Sequence, residues 1–135
     1  MADFQYDEFL ICSIQNANEG DREYLENYVS TQAAKGIKVY YPAIHTDQLD
    51  VETGGYRICS DNLDAITKAN IISIYWTEKS RGSVFDLGIA FHEHKHKGKK
   101  IKLINREQVE AIVARQKAAN TKKSLEMILL KLDSM

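Results

Sequence analysis

Little in this sequence interrupts regular structure. It holds one proline, Pro42, and seven glycines among 135 residues, so positions that force a turn are few, and each glycine following a strand-like run is informative. Only two cysteines are present, Cys12 and Cys59. They fit neither a Cys-x-x-Cys nor a Cys/His zinc spacing, which argues against a disulfide framework or a metal centre and for a reducing, cytoplasmic setting with both as buried apolar residues. No charge of one sign dominates. Eighteen Lys and Arg against nineteen Asp and Glu give a net charge of −1, so no global field draws the chain to nucleic acid or to an anionic membrane. Long apolar runs are missing too. No stretch approaches the roughly eighteen residues of a membrane span, and the first residues carry no basic-then-apolar leader, so neither membrane insertion nor secretion is expected.

The pattern that is present alternates strands and helices. Residues 9–14 and 71–76 are short apolar runs that read as strands buried on both faces, and residues 37–41 and 99–104 read as two more. Helical spacing runs from Asp21 to a stop at Gly36 and from Asp61, with Ser60 or Asp61 as the cap. It resumes after Ser83, and again from Arg106 in two pieces that meet near Asn120. This predicts a single α/β domain over residues 1–135, Rossmann-like or flavodoxin-like, with a mostly parallel sheet and helices on both faces. Residues 1–7 and 134–135 are expected to be loose ends. In such a fold ligands gather at the carboxyl ends of the strands.

That rule singles out the loop after the third strand, Ser80-Arg81-Gly82-Ser83. Gly82 permits close approach of the backbone, and the free N–H groups of the following helix make Ser80, Gly82 and Ser83 an anion cradle. The loop is neither a P-loop nor a dinucleotide fingerprint. Asp86, three residues after Ser83, has two readings at this point: a carboxylate aimed at a ligand in the crevice, or the acid of an S-x-x-D capping box that satisfies backbone donors. Trp76, ending the third strand, either stacks on a base or packs in the core. The tract His92-Glu93-His94-Lys95-His96 pairs only His92 with His96 at metal spacing and reads as a solvated helix end, so no metal or other cofactor is expected.

The order of these pieces, with the motif Ser80-Arg81-Gly82-Ser83-Val84-Phe85-Asp86-Leu87-Gly88-Ile89-Ala90 at its centre, resembles the nucleoside 2-deoxyribosyltransferase family. The likeness is greatest to its small 2′-deoxynucleoside 5′-monophosphate N-glycosidases and covers roughly residues 8 to 105. The resemblance implies cleavage or exchange of the base of a deoxynucleoside or its monophosphate. Asp86 falls at the family's catalytic glutamate and Asp61 at a supporting acid. Ser13, Ile14 and Gln15 fall on the loop that holds base and sugar, and Ser80 and Gly82 on the phosphate loop. Phe85 falls at the aromatic before the acid, and Gly88 and Ala90 at small positions that let the helix pack on the sheet. Arg81 replaces a neutral residue, as an added phosphate contact or a group facing water. The resemblance also implies a homodimer or higher homo-oligomer, for which Leu125, Ile128, Leu129 and Leu132 offer an apolar surface. Asp in place of Glu shortens the acid by one methylene, roughly 1.5 Å. Two alternatives follow: a nucleotide-binding module without turnover, or a glycosidase acting on NAD or another ribosyl nucleotide.

Overall fold

The computed structural model describes residues 6–119 and 124–135, apart from the side chain of Arg81. The chain runs β1 (Glu8–Ile11), α1 (Glu19–Ala34), β2 (Val39–Tyr40), α2 (Pro42–His45), α3 (Tyr56–Lys68), β3 (Ile71–Ile74), α4 (Arg81–Lys97), β4 (Lys100–Leu103), α5 (Arg106–Ala118) and α6 (Leu125–Asp133). All strand pairs are parallel, in the order β2-β1-β3-β4. The α/β domain expected from the alternating pattern is therefore the fold. The expected junction of the two C-terminal helices at Asn120 lies outside the described residues.

Alternation along the strands distributes the core between two layers. Phe9 and Ile11, with Ile72, Ile74, Ile101 and Leu103, face Ile66 of α3, Leu87 and Ala90 of α4, and Leu129 and Leu132 of α6. Leu10, Cys12, Val39 and Tyr75 face Leu25 of α1 on the other side. Each fully buried Ile or Leu here contributes roughly 1.5–3 kcal/mol. The same face of β1 also carries Glu8, which is buried. It accepts hydrogen bonds from Tyr28, from Gln32 Nε2 at 3.1 Å and from Ser73 Oγ at 2.6 Å, and pairs with Lys102 Nζ at 3.3 Å. A buried carboxylate is tolerable only with such partners.

Several boundaries differ from the sequence reading for identifiable reasons. Helix α1 begins at Glu19 because Asn18 and Asp21 form a reciprocal capping box, Asp21 N donating to Asn18 Oδ1 at 2.7 Å and Asn18 N to Asp21 Oδ2 at 3.1 Å. Helix α3 begins at Tyr56, five residues before the expected Asp61. Its cap comes from a distance: Asp50 Oδ2 accepts from the backbone N–H of Gly55 at 3.1 Å and of Arg57 at 3.0 Å. Gly54 and Gly55 make this entry possible with φ of +66° and +104°, a region other residues rarely occupy.

Of the expected loose ends, residues 1–5 lie outside the described residues, while Asp7 and the last two residues make hydrogen bonds. Asp7 accepts from Lys38 N at 2.8 Å through its side chain and from Asn70 and Ile71 through its carbonyl, and Met135 N donates to Leu132 O. The histidine tract is not wholly solvated either. Glu93 is buried and pairs with Lys99 at 2.9 Å and Lys97 at 3.3 Å, and these lysines outweigh burial to hold its carboxyl below the usual range. Lys99 Nζ also donates to the carbonyls of Ile66 and Thr67 at the end of α3. No helix of the described residues is long and apolar enough to cross a membrane.

Candidate functional site

The strand order reverses direction between β1 and β3, and a crevice opens beyond the carboxyl ends of these two strands, as the α/β rule requires. It is a cavity of about 670 Å³, within the range of small-molecule sites. One wall is the turn after β1, Cys12 to Asn16, and the opposite wall is the start of α4, with Gly82, Ser83 and Asp86. The N-terminal half of α3, with Ile58, Cys59 and Asn62, and the Gly54-Gly55 entry complete it together with Pro42 and Gln48. Asn16 Nδ2 donates to Lys79 O at 2.9 Å and ties the β1 loop to the loop before α4.

Asp86 lies in the second turn of α4 rather than the first, because the helix starts at Arg81 with Ser80 as its cap residue. It does not take part in a capping box with Ser83. Its side chain lines the cavity, 8% exposed, and its one hydrogen bond among the described residues is from Asn62 Nδ2 to Oδ2 at 3.3 Å. Burial raises its pKa to about 6 and the Asn62 bond opposes the rise in part. Ser83 Oγ is buried, lines the same cavity and has no hydrogen-bond partner among the described residues. A buried hydroxyl with no protein partner takes its hydrogen bond from solvent or from a ligand in the cavity. Cys12 and Cys59 also line this cavity. Burial, and then the nearby Asp86, push the Cys12 thiol up to about 12, so it stays protonated at neutral pH.

Of the residues singled out from the sequence, the cavity brings together Ser13, Ile14, Gln15, Gly82, Ser83 and Asp86. Three others are elsewhere. Ser80 is buried beneath the loop, where its Oγ accepts from Thr77 N at 3.1 Å; it braces the turn instead of facing the cavity. Trp76 is buried on the α6 side of the sheet, its indole Nε1 donating to Glu126 Oε2 at 2.6 Å, so it packs rather than stacking on a ligand. Asp61 points away from Asp86. It pairs with Arg57 at 2.5 Å and lines a second cavity with Tyr6, Tyr40 and His45. The Arg81 side chain falls outside the described residues. Gly88 is exposed and opens a groove toward α6 instead of packing on the sheet; Ala90 does pack there.

Asn62, the partner of Asp86, escaped the sequence reading, as did Asn16, Gln48 and the two cysteines as wall residues. A signal for Asn62 existed: Ile58, Asn62, Ile66 and Ala69 recur at helical spacing, and once α3 starts at Tyr56 this stripe faces inward while Asp61 turns about 100° away. No protein-family model matches the chain, and no curated protein matches it in sequence.

Proposed function

We propose that the protein cleaves, or exchanges, the base of a 2′-deoxynucleoside or its 5′-monophosphate through Asp86. The observation that carries this reading is a single buried carboxyl, held by Asn62 on one oxygen, beside a nucleoside-sized cavity at the switch point of a parallel sheet. With a pKa of about 6, Asp86 is mostly ionised at neutral pH yet poorly solvated, which suits a nucleophile. As the C1′–N bond breaks, its electron pair leaves with the base, and the carboxylate bonds to or stabilises the oxocarbenium-like sugar carbon. Water attacking the resulting sugar ester releases the sugar and restores Asp86; a second base in place of water gives transfer. The first-turn N–H groups of α4 and the Ser83 hydroxyl are the groups available for a 5′-phosphate or a sugar hydroxyl. The resemblance to the deoxyribosyltransferase family supports the same assignment, with Asn62 rather than Asp61 as the residue supporting the acid.

A homo-oligomer belongs to this reading. Of the expected contact residues, Leu129 and Leu132 are buried in the core; the apolar surface is instead a groove of about 480 Å³ between α4 and α6, lined by Val84, Gly88, Phe91, Leu125 and Ile128 among others, of the kind a subunit contact covers.

The test is incubation with a panel of deoxy- and ribonucleosides and their monophosphates, followed by chromatography for free base. Base release from a deoxy substrate, lost in Asp86→Ala with the fold intact, is the expected result. Equal background from both proteins across the panel overturns the reading, and release from ribonucleotides or NAD alone transfers it to that substrate class.

A further inference from the structure

The hydrogen bond on Asp86 is the inner end of a chain. Asn62 Nδ2 donates to Asp86 Oδ2 at 3.3 Å, and Thr46 Oγ1 donates to Asn62 Oδ1 at 2.8 Å. Tyr40 Oη lies 2.7 Å from Thr46 Oγ1 and 3.2 Å from the His45 carbonyl. A hydroxyl has one proton to give. With Thr46 donating to Asn62, the bond between Tyr40 and Thr46 is donated by Tyr40, so all donors point toward an ionised Asp86.

The same groups satisfy the opposite arrangement. A protonated Asp86 donates to Asn62 Oδ1 once the amide has turned over; Nδ2 then donates to Thr46, Thr46 to Tyr40, and Tyr40 to the His45 carbonyl. Every donor keeps a partner in both states, which matters because Thr46 and Asn62 are buried and an unpaired donor there is costly. We propose that Tyr40, Thr46 and Asn62 form a reversible hydrogen-bond array that couples the protonation state of Asp86 to the second cavity, with Tyr40 and Thr46 as positioning residues of the carboxyl. Its bearing on catalysis rests on the role given to Asp86 above; the titration itself does not.

Other groups face the two ends. Cys12 beyond β1 and Cys59 on α3 face Asp86, and Asp50 lies on the Cys59 side. At the outer end Tyr40 meets Tyr6, His45, Asp61 and Arg57, and burial keeps its phenol neutral, a donor throughout. Asp61 and Asp64 line the second cavity with Lys68. Glu93, two turns further along α4, is occupied by Lys97 and Lys99.

The two polarities do not need Tyr40 equally. The ionised state uses it as a donor to a hydroxyl that already has an outlet for its proton. The protonated state needs it as the acceptor for Thr46. Tyr40→Phe keeps the ring that stacks on Phe9 at 5.3 Å and removes only the hydroxyl, so it disfavours protonated Asp86. The experiment is carboxyl ¹³C titration of Asp86 by NMR, assigned with Asp86→Asn, in the wild-type protein, Tyr40→Phe, Thr46→Ser, Thr46→Val and the Tyr40→Phe/Thr46→Val double variant, with melting curves to establish folding.

Tyr40→Phe is expected to lower the midpoint by roughly half a pH unit, Thr46→Ser to leave it in place, and Tyr40→Phe to have no further effect once Thr46 is valine. A midpoint unmoved or raised in folded Tyr40→Phe overturns the proposal. So does the same downward shift in the Thr46→Val background, which would assign the effect to a path outside the array. If Thr46→Val does not fold, Tyr40→Phe and Thr46→Ser decide between them. Because the readout needs no substrate, failure here is distinguishable from failure of the proposed activity.

Discussion

At the scale of single residues, Asp86 is a buried carboxyl whose ionisation costs the fold, and the proposed chemistry needs that ionised form. The folded state holds its proton up to about pH 6, whereas the unfolded chain releases it near 3.8. Between those values the folded state binds more protons, so its stability falls as pH rises through the window and stays lowered above it. The ionised carboxylate costs roughly 2–3 kcal/mol at neutral pH on this account. Asp86→Asn is therefore expected to raise stability at pH 7 by about 1–2 kcal/mol in denaturant unfolding, with little difference left at pH 4, while base release disappears. A capping carboxylate would give the opposite sign, so a destabilised Asp86→Asn refutes the assignment. In the wild-type protein, turnover should rise with pH through about 6, as the nucleophile ionises. Asp86 as a cavity residue was legible because it follows the glycine loop at the start of a helix, although it is Asp where the resembled family has Glu. Asn62 was not, because the helix that aims it is capped by Asp50, which no local spacing reveals.

At the scale of elements, the start of α4 lines the cavity with Gly82, Ser83 and Asp86. Gly82 has no neighbouring heavy atom within 4 Å of where a Cβ would stand and no positive φ, so Gly82→Ala should fold with a change of less than about 0.5 kcal/mol. The added methyl group sits on a residue that lines the cavity. The expected result is a KM raised severalfold with an unchanged melting temperature, read by steady-state kinetics on whichever substrate the panel assay identifies. An unchanged KM would place the ligand away from this turn. The sequence predicted the helix and the glycine loop but assigned Ser80 to the ligand; the residue instead turns its hydroxyl back to Thr77 N, a choice set by loop geometry. Trp76 shows the same limit. An aromatic at a strand end is compatible with site or core, and only the distant Glu126 decides for the core.

At the scale of the whole molecule, the alternation of strands and helices was readable because β1 and β3 are short apolar runs and helix α1 is stopped by a glycine, Gly36 at φ +81°. Strand order was not readable, since it depends on which parallel neighbours pair and not on any one segment. The open groove between α4 and α6 gives this scale its own prediction. Phe91→Glu, on an exposed ring lining the groove, should reduce the sedimentation coefficient of an assembled wild-type protein to that of a monomer; a wild-type protein already monomeric at micromolar concentration removes the oligomer from the reading. The sheet order has a consequence for biosynthesis as well. Glu8 on β1 takes hydrogen bonds from Tyr28 and Gln32 of α1 and from Ser73 of β3, but its cationic partner, Lys102, is on β4, and its strand pairs directly with β3. During translation the first strand therefore emerges long before Lys102, the cation that pairs with its carboxylate. A nascent chain released before β4 has been made would hold Glu8 by neutral donors alone, without its cation, at the strand around which both layers of the core are assembled.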